Sequence, residues 1–202
     1  LAVGAVIAAE MAGEPFAGAA ATGSTLGAAV AAIRLARLAS RLGRRPALAL
    51  GALIAAGGST LTIVATGLQV FPLLLLAFAM LGVGTSVGLQ ARFAATDVAA
   101  PDRRGRDLSL VVWSTTVGAV VGPNLFGPGV VLQDVFALPL HTGSFLIAIA
   151  AQLAAAALYL FALRPDPLVL ARGREVKLDP TADAGIVRGR AALIFAIGTI
   201  AL

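Results

Sequence analysis

The sequence contains no cysteine, which excludes disulfides and thiolate metal sites, and its one histidine, His141, cannot assemble a metal cluster alone. Charge is scarce as well. Charged residues make up 12% of the chain, where an ordinary soluble domain carries about a quarter, so they are too few to cover a water-facing surface. Also missing are a phosphate-cradling G-x-x-x-x-G-K-S loop, a nucleophile set with base and orienting partner, and paired carboxylates on one helix face. These absences read as no enzyme, no metal and no cofactor.

What is present is mostly apolar, 59% of residues with a mean hydropathy of +0.95. The net charge of +5 and the pI near 11.2 do not point to nucleic acid, because the bases sit in three clusters separated by apolar runs that no nucleic-acid module contains. Phe16 to Ile33 is uncharged for eighteen residues, enough to cross about 30 Å of hydrocarbon at about 1.5 Å per residue; it is read as span two. No charge occurs between Arg45 and Arg92, and Gly67-Leu68-Gln69 with Phe71-Pro72 marks a turn inside that run, giving spans three and four. Asp107 and Asp134 bracket span five, and Thr142 to Leu163 supplies span six.

Leu1 to Ala9 and Ala191 to Leu202 read as pieces of spans one and seven, so the chain is expected to be a fragment. The expected organisation is an all-α polytopic membrane protein: a six-helix transmembrane bundle over 1–164 with span one truncated, a cytoplasmic linker over 165–190, and the start of span seven over 191–202. Helices apolar around their whole circumference need lipid as solvent, and abundant Ala, Gly, Ser and Thr let such helices approach closely.

The loops orient the bundle. All fifteen bases follow spans two, four or six, from Arg34 to Arg45, Arg92 to Arg106 and Arg164 to Arg190. Glu10, Glu14, Asp134 and His141 lie on the other side, so the even-numbered loops face the cytoplasm of a multi-pass cell-membrane protein. His141 and Asp134 read as solvated loop residues. Glu10 is either a titrating carboxylate within the membrane, where ionisable groups are costly and functional, or an external interfacial residue.

The string Ala36 to Arg45, after span two, resembles the loop signature of the major facilitator superfamily, G-x-L-A-D-R-x-G-R-R, agreeing at six of eight defined positions. Ala36 and Ser40 are the departures. Gly43 supplies the left-handed conformation of a tight turn, Arg37 and Arg41 lie one helical turn apart, and Arg44 and Arg45 complete the motif. The turn's charges read as solvated, either a simple anchor or a latch pairing with Asp97 or Asp102. Pro101 to Ser109 resembles the family's P-x-x-R-G-R-x-x-S segment. Gly118, Gly122, Pro123 and Gly127 in span five resemble its antiporter signature, G-x-x-x-G-P-x-x-G-G, with Phe126 replacing one glycine.

That resemblance implies the N-terminal half of a transporter, with a matching C-terminal half of the same chain as partner, carrying a small-molecule substrate through the lipid bilayer by alternating access. It implies export coupled to an inward ion flow, with protons as a possible coupling ion, although Phe71 to Gln90 carries no base of the kind many proton-coupled members have in span four. The alternatives are a transporter-like scaffold without transport, or an uptake carrier. Spans one, two, four and five line the cavity in the family. The substrate-contact candidates are then Thr22, Ser24 and Thr25, followed by Thr85, Ser86 and Gln90, and by Trp113, Thr116 and Asn124; Trp113 is alternatively an interfacial anchor. Gly118 and Gly122 are expected to present a smooth packing strip, with a bend at Pro123.

Overall fold

The structure, a computed structural model, describes residues 2–98 and 104–163, without the side chains of 2, 95–98 and 104. The expected linker 165–190 and span-seven start 191–202 lie outside the described residues. Among the described residues seven α-helices follow one another: α1 (Ala2–Ala12), α2 (Ala19–Leu42), α3 (Arg44–Leu68), α4 (Phe71–Val98), α5 (Arg104–Asn124), α6 (Phe126–Val135) and α7 (Gly143–Ala157). A 3-10 turn at Glu14–Phe16 precedes α2, and a π-helical turn at Leu158–Ala162 extends α7.

Four of these segments, the α2 segment with its 3-10 turn, α3, α4 and α7 with its π-turn, are long and apolar enough to cross a membrane. A fifth span forms if α5 and α6, bent by 50° at their junction, are counted together. With the short α1 this reproduces the expected six-span order.

Local chemistry sets the boundaries. Pro15 and Pro72 fall in first turns, where a missing N–H costs nothing. The α3–α4 turn is closed by Gln69 at φ 54°, ψ 36°, not by the neighbouring Gly67, and Gln69 stabilises its left-handed backbone by donating from Nε2 to the Thr66 carbonyl at 2.8 Å.

Packing is centred on α4, which lies along α2 on one side and α3 on the other, while α7 covers the far side of α3. α3 is consequently the most enclosed of the four membrane-length segments, with 56% of its apolar stretch buried. Hydrocarbon is as apolar as leucine, so burial alone gives little attraction here; close backbone approach does. A Cβ on Gly27 would collide with the Ala79 carbonyl, and one on Gly82 with the Ser24 carbonyl. Glycine is required at both positions, and Gly27 lies in the small-residue stripe Gly23-x-x-x-Gly27-x-x-x-Ala31 of α2.

Two apolar clusters fill the bundle. Leu35, Leu48, Val87, Val111, Tyr159 and Leu163 join α2, α3, α4, α5 and α7 toward one end. Ile7, Ala20, Ala65, Leu74 and Phe78 join α1 to α2, α3 and α4 toward the other.

Candidate functional site

Gly43 makes the corner between α2 and α3. It sits at φ 102°, ψ 166°, so the expected positive φ is present but with an extended ψ, a region open essentially to glycine alone. That abrupt turn starts α3 with Arg44 and Arg45 folded back against the bundle. Arg44 donates from Nη1 to Gln90 Oε1 at 2.8 Å, binding the start of α3 to α4. Arg45 donates from Nε to the Leu160 carbonyl at 2.7 Å, supplying a donor to the end of α7, where backbone acceptors run out of helical partners.

The expectation of a solvated basic turn therefore needs dividing. Arg37 and Arg41 are exposed on α2, whereas Arg44 and Arg45 are half-buried and bonded. Ser40, which stands where the signature has aspartate, donates to the Arg37 carbonyl at 2.8 Å. Asp102 and the side chain of Asp97, the acids expected to complete a latch, lie outside the described residues, as does the start of the Pro101–Ser109 segment.

The substrate candidates separate in the same way. Ser86 is buried and donates to the Ala28 carbonyl at 2.6 Å, clamping α4 to α2, and Gln90 is engaged by Arg44. Thr22 and Thr25 are exposed and return their hydroxyls to the Gly18 and Ala21 carbonyls one turn back, the usual resting state of a hydroxyl in a membrane helix. Ser24 is half-buried on the same helix, while Thr85 and Thr116 are exposed on α4 and α5. Trp113 is 66% exposed. Asn124 is exposed and donates from Nδ2 to the Val120 carbonyl. The exposed candidates lie on the surfaces of α2, α4 and α5, and the described residues do not enclose them in one cavity.

α5 is built differently from the other spans. Pro123 removes the N–H that would bond Ala119 and its ring crowds that turn; α5 ends one residue later and the chain bends by 50° into α6. The expected bend is thus present, as a broken span. Gly122 and Gly127 have open space where a Cβ would go, and Gly118 is half-buried. Among the described residues α5 packs on α4 and meets little else, so the strip expected at Gly122 has no helix against it there. Close approach occurs instead where α6 meets α7, with Gly143 against the Gly129 carbonyl.

Glu10 and His141 meet at the other end of the bundle, with His141 Nε2 3.3 Å from Glu10 Oε1. His141 is therefore paired and two-thirds covered, not simply solvated, while Glu10 remains 53% exposed. An open hollow of about 470 Å³ lies beside them, lined by Thr66, Gln69 and residues Ala137 to Leu140. Asp134 is exposed. The contacts of Arg44 and Arg45 thus define a basic end, and those of Glu10, Gln69 and His141 the opposite end.

Two polar features escaped the pattern of spans and loops. Ser59 donates to Gln152 Oε1 at 3.1 Å inside the α3–α7 contact, both residues buried; neither is charged or part of a motif, so only their shared interior position reveals them. Arg92 is the other. Reading span four as free of bases stops at Gln90, whereas α4 continues to Val98 and its apolar segment reaches Ala94. The guanidinium is half-buried, with Nη2 3.5 Å from Thr115 Oγ1 and Nε hydrogen-bonded to nothing among the described residues.

A helical bundle with membrane-length apolar helices, a glycine corner flanked by two bonded arginines and a proline-broken span defines a polytopic membrane protein. The family model of the Major Facilitator Superfamily matches residues 2–202, and the chain belongs to that family. It is 39% identical over 188 residues to YdeG of Bacillus subtilis (strain 168), described as an uncharacterized MFS-type transporter, covering 91% of this chain and 43% of that protein. It is also 39% identical over 167 residues to YddS of the same organism, likewise described, covering 82% of this chain and 38% of that protein. The chain therefore spans less than half the length of the curated relatives it matches. No solved structure matches it.

Proposed function

We propose that this chain is the N-terminal half of a secondary active transporter of small, partly apolar molecules, which exports them by rocking against a C-terminal half around a site near the midplane. Inverted repeats and binding between halves are the usual construction of such carriers. The observation that carries the reading is the broken span: α5 bends by 50° behind Pro123 at the position of the antiporter-like signature, while its exposed side, with Trp113, Thr116 and Asn124, is left open by the rest of the described bundle. A helix already interrupted and held on one side can pivot without tearing the core apart.

In this proposal Thr22, Thr25, Thr85, Trp113, Thr116 and Asn124 face the substrate path, whereas Ser86 and Gln90 hold helices together. Arg44 and Arg45 set the geometry of the basic end, which faces the cytoplasm of the cell membrane. Coupling is to an inward ion flow, with protons as the ion. The chain requires no metal or organic cofactor for this work, since binding and conformational exchange suffice.

The test is accumulation of a panel of lipophilic compounds by the full-length protein in inverted vesicles, with and without a proton gradient. Accumulation that requires the gradient is the expected result. Uptake that runs in the opposite direction would replace the exporter by an uptake carrier, and no transport of any compound would favour a scaffold.

A further inference from the structure

We infer that one sector of α2 is a binding surface for anionic phospholipid in the leaflet at the basic end. The inference rests on the membrane-embedded fold and is independent of substrate and direction of transport. On a helical wheel of about 100° per residue, Leu26, Val30, Ile33, Arg34, Arg37 and Arg41 fall in one sector about 100° wide. Thr22, Thr25, Ala29, Ala36 and Ser40 fall in the adjoining sector, about 60° wide. Both sectors are exposed, and the buried Ala20, Ala31, Leu35 and Ala39 lie opposite.

The two exposed sectors differ in chemistry. One bears only small and hydroxyl side chains, which suits passage of a substrate or close approach of another helix. The other carries large apolar side chains, with Leu26 62%, Val30 50% and Ile33 58% exposed, and ends in three exposed arginines, none of which makes an ion pair or a side-chain hydrogen bond among the described residues. Three guanidinium groups on one face, with no acid beside them among the described residues, are complementary to phosphate oxygens, which they bind in a bidentate manner.

The dimensions select a lipid over a free anion. At about 1.5 Å per residue, Arg34 lies about 12 Å and Arg41 about 22 Å along the axis from Leu26. One leaflet of hydrocarbon is about 15 Å deep and its headgroup zone ends at about 22 Å, so an acyl chain laid on Leu26, Val30 and Ile33 places its phosphate among Arg34, Arg37 and Arg41. Inorganic phosphate would use the arginines and leave the apolar stripe without a role.

Full-length protein in nanodiscs of phosphatidylcholine with a small fraction of phosphatidylglycerol tests this by counting the phosphatidylglycerol retained after stepwise delipidation. Each basic residue near an anionic surface is worth about a fivefold change in binding, so the Arg34→Gln/Arg37→Gln/Arg41→Gln variant should lose retention by about 100-fold, while Arg106→Gln changes it little. Equal retention by wild type and triple variant overturns the proposal, and so does an Arg106→Gln loss as large as the triple one. Should the triple variant fail to insert, a bimane label decides. Quenching by brominated acyl chains of phosphatidylglycerol is expected at Ile33→Cys and not at Thr25→Cys, and equal or reversed quenching overturns the assignment of the apolar sector to lipid.

Discussion

The α2–α4 contact and the α5–α6 span are both rich in glycine, yet they use it in opposite ways. Gly27 and Gly82 sit where one helix backbone presses on the next, so that neither can carry a side chain. Gly122 and Gly127 face open space beside a proline, in a span that breaks and bends by 50°. Glycine in the first region makes a close seam, and at Gly122 and Gly127 it leaves the bent span without a close neighbour among the described residues. The proposed transport calls for both, a body that moves as a unit and an element that can change shape beside it.

The largest expected effect comes from exchanging these roles. Gly82→Leu should destabilise the protein by about 3 kcal/mol or more, because the side chain meets the Ser24 carbonyl and the helices must separate. Gly122→Leu should insert and remain monodisperse in detergent while transport is abolished or strongly slowed. Fluorescence-detected size exclusion of the two variants reads the difference directly. Equal loss of monodispersity would erase the distinction between seam and open span, and wild-type transport by Gly122→Leu would remove the pivot.

Arg45→Ala is the next step down. Removing a charged donor from the Leu160 carbonyl should cost about 2 kcal/mol, measurable as a lower thermal midpoint, and Arg44→Ala should behave similarly through Gln90. The exposed Arg41→Ala should change stability by less than about 0.5 kcal/mol. A midpoint for Arg41→Ala as low as that for Arg45→Ala would mean that the corner is held by both pairs of arginines.

Pro123→Ala should change stability by no more than about 1 kcal/mol, because the restored Ala119 bond and the repacking of the turn offset one another, so its readout is geometry. Spin labels on α5 and α6 in the full-length protein should report a straighter span. An unchanged distance distribution would place the origin of the bend at Leu125 and the surrounding contacts instead of at the proline.

Topology offers a check on the two ends. Cysteines introduced beside Arg44 and Asp134 should differ in their access to an impermeant thiol reagent applied from outside, because the Arg44–Gln90 and Glu10–His141 contacts lie at opposite ends of the bundle. Equal labelling would be incompatible with the alternation of the spans.

The sequence by itself determined the solvent and the order of spans, and it carries the expectation of sidedness that the labelling tests. Uninterrupted apolar runs admit only helices in lipid, since every backbone group must be satisfied within the segment, and the position of each basic cluster after an even span follows from counting those runs. It also marked the corner, because only glycine tolerates the backbone at Gly43, and the break, because Pro123 lacks an N–H. Which arginines are bonded, and to what, was decided by the tertiary structure. Arg37, Arg41, Arg44 and Arg45 look equivalent in a string, but the turn at Gly43 leaves the first two on the outside of α2 and swings the last two onto α4 and α7. The same holds for glycine and for the polar candidates. Close approach is a relation between two helices, so no single run could assign it to Gly27 and Gly82 over Gly118 and Gly122, and Ser86 or Gln90 becomes a clamp only when Ala28 or Arg44 is brought within hydrogen-bond reach.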